Sequence, residues 1–174
     1  MAVNNSFSLF KDKGISGDQP KAPLIIVADN LSSPMNVGAV LRLAANLNAE
    51  KTWLVYEQDP GFRSFKIKST SSGASEKTDW EIIIPEKLAE VLPSDYEIIA
   101  IETTEKAQNI FTAKLPEKIV LIVGNERYGI SEPVLNLAMK HLFIPVPGNI
   151  SSLNVTHALA VGLYEWYRQQ QTIV

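Results

Sequence analysis

The sequence predicts a single α/β domain with a mainly parallel β-sheet and helices on both faces. Short apolar runs rich in β-branched residues recur along the chain, as expected for strands that are covered on both sides. Segments with helical spacing lie between these runs, and such alternation favours parallel strands joined by helices. The length of 174 residues, 45% of them hydrophobic, suits one domain with its own core.

The elements follow one another in a regular order. Residues 1–22 lack periodicity and are expected to form a flexible N-terminal arm ahead of one domain over residues 23–174. The expected strands are 24–28, 52–56, 80–84, 96–101, 118–123 and 141–146. The expected helices are 36–48, 67–73, 85–92, 131–139 and 154–169. Ligands of such sheets bind beyond the carboxyl ends of the strands, and three of the loops there carry distinctive residues.

Composition excludes several classes of site. Cysteine is absent, which excludes disulfides, thiolate metal sites and thiol nucleophiles. Two histidines, His141 and His157, are too few for a multi-histidine centre, so no metal is expected. No apolar stretch reaches the roughly 18–20 residues that cross a bilayer, and the N-terminus does not resemble a secretory signal. The expected location is cytoplasmic, without a membrane partner.

The first distinctive loop leads into a helix that carries Asn36, Gly38 and Arg42. Gly38 and Arg42 are four residues apart and therefore share one face of that helix. A position without a side chain beside a long cation suits main-chain contact with a ligand and a guanidinium directed at a phosphate or hydroxyl. Taken alone, the segment fits equally an amphipathic surface helix with one solvated arginine.

The second loop, Gly124 to Gly129, joins a strand to a helix that begins near Ser131. Its two glycines allow main-chain amides to approach a ligand closely. The loop has neither the Gly-Lys-Ser/Thr of a P-loop nor the G-x-G-x-x-G of a dinucleotide site, which disfavours both. A purely structural glycine turn is the alternative.

The third loop follows the last predicted strand. Pro145 and Pro147 stiffen it, and Asn154 is a suitable cap for the final helix. The apolar stripe of that helix fits ordinary core packing, but Gly162 beside Trp166 and Tyr167 is also typical of a face packed against another subunit.

Charge is distributed unevenly despite a net value of −3. Residues 76–105 contain nine of the 19 acidic residues and two lysines, so the remaining chain has 14 basic and 10 acidic residues, a balance of +4. Exposed charges act locally, so a basic RNA-binding surface remains compatible with the net charge. Phe62 and Phe65 alternate with the candidate RNA contacts Arg63, Lys66 and Lys68. A solvated loop with two buried phenylalanines is the alternative.

Three motifs in order give the sequence a family resemblance. They are N-x-G-x-x-x-R over Asn36–Arg42, G-N-E-x-x-G-I over Gly124–Ile130, and an I-P…S-L-N-V run over Ile144–Val155. Over about residues 23–169, the sequence therefore resembles the SpoU (TrmH) class of SPOUT RNA 2′-O-ribose methyltransferases. The resemblance implies a C-terminal deep trefoil knot, S-adenosylmethionine as cofactor, and a homodimer whose interface completes each active site.

The resemblance also implies roles for individual residues. Arg42 matches the arginine credited with activating the ribose hydroxyl, and the residues that arrange phosphate, arginine and cofactor would be Asn36, Glu126, Ser152 and Asn154. The cofactor pocket would be formed by Thr103, Gly124, Asn125, Ile144 and Leu153. Because arginine stays protonated in water, Arg42 acts either as a base in an unusual environment or as an electrostatic stabiliser of the forming alkoxide.

The expected function is methyl transfer to a ribose 2′-hydroxyl of tRNA or rRNA, with tRNA favoured because the chain has little beyond the core to recognise RNA. Three alternatives remain open. They are a non-catalytic RNA-binding or assembly protein with the same fold, a flavodoxin-like nucleotide-binding domain, and a base methyltransferase of another SPOUT branch.

Overall fold

The structure is a computed structural model that describes residues 6–12, 22–62 and 64–171. The helices in these residues are α1 (Ser6–Asp12), α2 (Pro34–Asn46), α3 (Ser64–Thr70), α4 (Pro85–Val91), α5 (Glu132–Leu135) and α6 (Val155–Gln171), with a 3-10 turn at Ala74–Glu76. The strands are β1 (Ala22–Asp29), β2 (Ala49–Val55), β3 (Trp80–Ile83), β4 (Glu97–Ile101), β5 (Gln108–Asn109), β6 (Ile119–Val123) and β7 (Lys140–Phe143).

The strands form one parallel sheet in the order β3-β2-β1-β6-β4-β7-β5. The predicted parallel α/β sheet is confirmed. Strands β2 and β3 lie on one side of β1, and strands β4 to β7, which come later in the chain, lie on its other side. The carboxyl ends of all strands meet at one edge, and the direction of winding changes between β1 and β6, where open α/β sheets bind ligands.

Both faces of the sheet are covered, as predicted. On β1, Leu24 and Ile26 contribute to a cluster with buried residues of α2 and α6. The alternate residues Ile25 and Val27 contribute to a second cluster with Leu88 of α4 and with buried residues of α5. Successive side chains of a strand point to opposite faces, so burial on both sides requires the uninterrupted apolar runs seen in the sequence.

Several boundaries differ from the predictions. The last long strand ends at Phe143 rather than at residue 146, because Pro145 and Pro147 have no main-chain N–H to donate to a neighbouring strand. The helix expected over 131–139 is only α5, because the main-chain N–H of Met139 donates to Ile98 O at 2.8 Å and joins the sheet. The sequence analysis missed the two-residue strand β5 and also α1, which forms within the predicted arm. The flexibility of that arm stays a prediction.

Gly162 and Trp166 of α6 pack within the chain, and packing of this helix against another subunit stays a prediction. A Cβ at Gly162 would lie 2.3 Å from Ile101 Cδ1, so the helix lies directly on the sheet. The Trp166 indole donates to Pro116 O at 2.9 Å. Gln169 accepts from the Leu115 amide and donates to Ala113 O, so the segment before β6 runs across α6.

Candidate functional site

The carboxyl ends of β4, β6 and β7 open into a cleft of about 290 Å³, a volume near the lower limit of small-molecule sites. Loops that are distant in sequence form its walls. Seven of the predicted site residues line the cleft: Thr103, Gly124, Asn125, Glu126, Ile144, Ser152 and Leu153. The structure therefore brings together two of the three loops that the sequence singled out.

The loop from Gly124 to Gly129 is a tight turn. Asn125 and Gly129 exchange main-chain hydrogen bonds at 2.9 and 3.0 Å, and Gly129 has a left-handed φ of 73°. The Asn125 Oδ1 accepts from the amides of Arg127 and Tyr128 at 2.8 and 3.0 Å. At Gly124, a Cβ would lie 2.2 Å from the main-chain carbon of Gly129, so only glycine fits. The turn is pre-formed and presents main-chain groups to the cleft.

Glu102 is a structural residue of the cleft that the sequence analysis missed. Its Oε2 accepts from the Ile130 amide at 2.9 Å, and its Oε1 accepts from the Thr103 amide at 3.0 Å. The carboxylate thus joins the end of β4 to the glycine loop after β6. The only signal in the sequence was its position directly after a predicted strand.

Asp29 is a second missed residue. It is 2% exposed at the end of β1, and its carboxylate accepts from the Ser131 amide at 2.6 Å. Burial raises the pKa of Asp29, although the hydrogen bonds from Ser131 act in the opposite direction. Asp29 ties β1 to the start of α5 across the point where the winding direction changes.

Glu126 connects the glycine loop to the first motif. Its Oε2 accepts from the Ser32 amide at 2.9 Å and from the Ser32 hydroxyl at 2.7 Å, and its Oε1 accepts from the Asn36 amide group. Partial burial raises the pKa of Glu126, but the hydrogen bonds outweigh it and hold the pKa below its ordinary value. Two predicted site residues that are 90 positions apart therefore meet in one chain.

Glu126→Gln should lower the free energy of unfolding by about 1 kcal/mol at pH 7, because an amide replaces one of the accepting oxygens in a partly solvated network. The folded-state pKa is depressed, so the carboxylate stabilises the protein above the ordinary value of 4.5 and loses this effect as pH falls through the folded-state pKa. Urea unfolding at pH 7 and pH 4 measures the loss of unfolding free energy and how this loss depends on pH. With Glu90→Gln as the exposed control, an equal deficit of the Glu126 variant at both pH values contradicts the prediction.

Arg42 and Asn154 lie outside the residues that line the cleft. Arg42 is exposed on α2, where its Nη1 is 3.4 Å from Ser72 Oγ. On the same helix face, Gly38 packs against Thr70, where a Cβ would meet its hydroxyl at 2.1 Å. Asn154 caps α6, as its capping residue type predicted: its Oδ1 accepts from the amide and hydroxyl of Thr156 at 2.9 and 2.7 Å. Catalytic roles for both residues stay predictions.

The candidate RNA contacts differ in their surroundings. Lys66 is exposed on α3. Lys68, on the same helix, forms an ion pair with Glu76, so an acidic residue offsets its charge. Arg63 lies outside the described residues.

Two features are absent from the residues that the structure describes. In these parts of the chain, no helix has the length and apolar character needed to span a membrane. Within the same residues, no group of three or more histidine, aspartate or glutamate side chains is placed to hold a metal ion.

The chain is similar in sequence to known RNA methyltransferases. The chain is 33% identical over 159 residues to an uncharacterized tRNA/rRNA methyltransferase of Synechocystis, covering 87% of this chain and 55% of that protein. It is 29% identical over 153 residues to the tRNA (guanosine(18)-2′-O)-methyltransferase of Aquifex aeolicus, covering 85% and 70%. The chain thus spans little more than half of the Synechocystis relative.

Similarity extends to solved structures. One described as giving structural insights into the 2-OH methylation of C/U34 on tRNA superimposes with a TM-score of 0.75 at 30% identity, covering 88% of this chain and 94% of that one. The sequence model of the SpoU rRNA Methylase family matches residues 23–164, which include all three motifs. The chain therefore belongs to the SpoU rRNA methylase family.

Proposed function

We propose that the protein transfers a methyl group from S-adenosylmethionine to a ribose 2′-hydroxyl of RNA, with tRNA as the favoured substrate and rRNA as the second. One observation carries the proposal: the motif loops of a SpoU family chain form a pre-organised cleft, and Glu126 links that cleft to Asn36 on the helix of Arg42. The similarity to proteins described as acting on tRNA supports tRNA.

The residues of the cleft fit S-adenosylmethionine. Ile144 and Leu153 offer apolar contact to an adenine ring, and the turn at Gly124 offers main-chain groups. The carboxylates of Glu102 and Glu126 suit a ligand that carries positive charge on sulfur and nitrogen. The cofactor would be held by Thr103, Gly124, Asn125, Ile144 and Leu153. When bound, it supplies an activated methyl group on a sulfonium, so the protein mainly has to position the acceptor.

The remaining roles concern the acceptor. Arg42 stabilises the charge that develops on the 2′-oxygen or removes its proton, and Asn36, Ser152 and Asn154 arrange the phosphate and the arginine. Arg42 is not among the residues that line the cleft of its own chain, which supports a homodimer in which Arg42 of one protomer serves the cleft of its partner. The passage of residues 113–116 across α6 supports a C-terminal knot.

RNA would contact the dimer beside this cleft. The exposed Lys66 would contribute a cation, and the other predicted contacts are Arg63 and Lys68, the latter paired with Glu76. The expected arm over residues 1–22 would add to the domain over 23–174. The site of action is the cytoplasm, where tRNA and rRNA are modified. The retention of Arg42 together with the Glu126–Asn36 contact favours catalysis over a non-catalytic assembly role.

The test is methyl transfer from labelled S-adenosylmethionine to total RNA from a host that lacks the protein, followed by mass spectrometry of the nucleosides. We expect label in a 2′-O-methylated nucleoside of the tRNA fraction. Label in a base would refute ribose methylation. In parallel, the cofactor should raise the melting temperature of the protein. The enzyme assignment would be refuted if no label were transferred and millimolar cofactor did not stabilise the protein.

A further inference from the structure

A second cavity, of about 330 Å³, lies at the same edge of the sheet as the cleft described above. It is formed where the chain leaves β1 and β2, and its lining includes Ser32, Tyr56, Glu57, Gln58 and Phe62. The three motifs do not account for it. None of the cofactor-site residues predicted above lines it.

The two cavities adjoin. Ser32 lines the second cavity and donates two hydrogen bonds to Glu126, which lines the first. Asn125 lines the first and donates through Nδ2 at 2.6 Å to the main-chain oxygen of Asn30, which lines the second. The boundary between the cavities therefore coincides with the junction of β1 and β6. A group-transfer enzyme needs neighbouring sites for donor and acceptor, and this pair of cavities meets that requirement.

The walls of the second cavity suit a flat ring. Tyr56 and Phe62 meet edge to face, with ring centroids 6.1 Å apart and ring planes at 86°, and so form an apolar corner. The Tyr56 hydroxyl donates to Leu31 O at 3.0 Å, which fixes the buried ring in place. Because Tyr56 is buried, the partly exposed ring of Phe62 is the one available to stack on a nucleobase.

The polar groups of the cavity indicate which edge of a ring it accepts. Glu57 and Gln58 are both exposed and follow each other in the lining of the cavity. The described residues that line the cavity include no lysine or arginine, so Glu57 gives the cavity a negative charge. A carboxylate accepts hydrogen bonds from the amino groups of bases.

We propose that this cavity binds the base of the nucleotide that is methylated, and that Glu57 selects bases with an exocyclic amino group over uracil. Guanine, cytosine and adenine present such a group to a carboxylate. Uracil presents a single ring N–H between two carbonyl oxygens, which the carboxylate repels. The inference rests on the proposed function, because it makes the cavity the acceptor site of that reaction.

The test is nuclear magnetic resonance titration of the full chain with GMP, CMP, AMP and UMP, with S-adenosylhomocysteine in excess to fill the first cavity. We expect the three amino-bearing nucleotides to bind about tenfold more tightly than UMP. Glu57→Gln should abolish this preference, and Phe62→Ala should weaken all nucleotides about tenfold. The matched controls Glu90→Gln and Phe111→Ala should behave as wild type.

Equal binding of UMP, or an unchanged preference in Glu57→Gln, overturns the proposal. So does the absence of binding by all four nucleotides. Failure of the proposed function gives a different result. In that case the wild-type protein prefers amino-bearing bases and Glu57→Gln loses this preference, but the wild-type protein transfers no methyl group to RNA.

Discussion

Arg42→Ala is expected to reduce methyl transfer to RNA by about 100- to 1000-fold, the usual effect of removing one group that stabilises developing oxyanion charge. The affinity for S-adenosylmethionine and the melting temperature should not change. Arg42 is exposed, and its described contact is a long one of 3.4 Å to Ser72 Oγ, so its loss leaves the core intact. Single-turnover rates, with calorimetric titration of the cofactor, measure both expectations.

Arg42→Lys separates charge from geometry. Lysine keeps a positive charge but lacks the planar guanidinium, so a rate close to that of Arg42→Ala shows that the bidentate geometry is needed. Lys77→Ala, which removes an exposed cation in the acidic region, is the control and should keep the full rate. A wild-type rate for Arg42→Ala would remove this residue from the mechanism.

Mixing two inactive variants tests which protomer supplies Arg42 to an active site. If the arginine of one protomer serves its partner's cleft, dimers of an Arg42→Ala chain and a chain with a disabled cofactor cleft contain one complete site. A one-to-one mixture should then recover about a quarter of the wild-type activity, because half of the dimers are mixed and each has one of two sites intact. No recovery in proven mixed dimers means that Arg42 acts within its own chain.

The sequence predicted the elements whose signal is local. The runs around Ile26 and Leu121 are apolar at successive positions because both faces of the sheet are covered, and that pattern is visible without the fold. The length of α5 could not be predicted, because its end is set by a hydrogen bond from Met139 to Ile98 on another strand.

For the site as well, residues in local motifs were predicted, whereas residues defined by contacts between distant segments were not. Gly124, Glu126 and Ser152 were identified because they match the motifs of the family that the sequence resembles, and the structure places all three in the cleft. Asp29 and Glu102 were missed, because each acts through a main-chain amide more than 25 residues away and no spacing rule indicates such a contact. The cavity beside Phe62 could not be predicted either, since the sequence suggested stacking there but not the edge-to-face contact between Phe62 and Tyr56.

Gly124→Ala is expected to abolish cofactor binding and to destabilise the protein. A Cβ at this position would lie 2.2 Å from the Gly129 carbonyl carbon and 2.3 Å from the Ile130 nitrogen, and main-chain atoms cannot move aside as a flexible side chain can. The glycine loop would have to shift, which would break the Glu102–Ile130 hydrogen bond. Overpacking of this kind costs about 1–3 kcal/mol.

Thermal unfolding with and without S-adenosylmethionine measures both effects. In a domain of this size, each kcal/mol lowers the melting temperature by about 2–4 °C, and the stabilisation by cofactor should disappear. Gly148→Ala is the matched control, because a Cβ there meets nothing within 4 Å and its φ is not left-handed. It should keep cofactor binding and gain up to about 1 kcal/mol by restricting the unfolded chain. If both variants retain the cofactor shift, the close approach of Gly124 to Gly129 is not what forms the site.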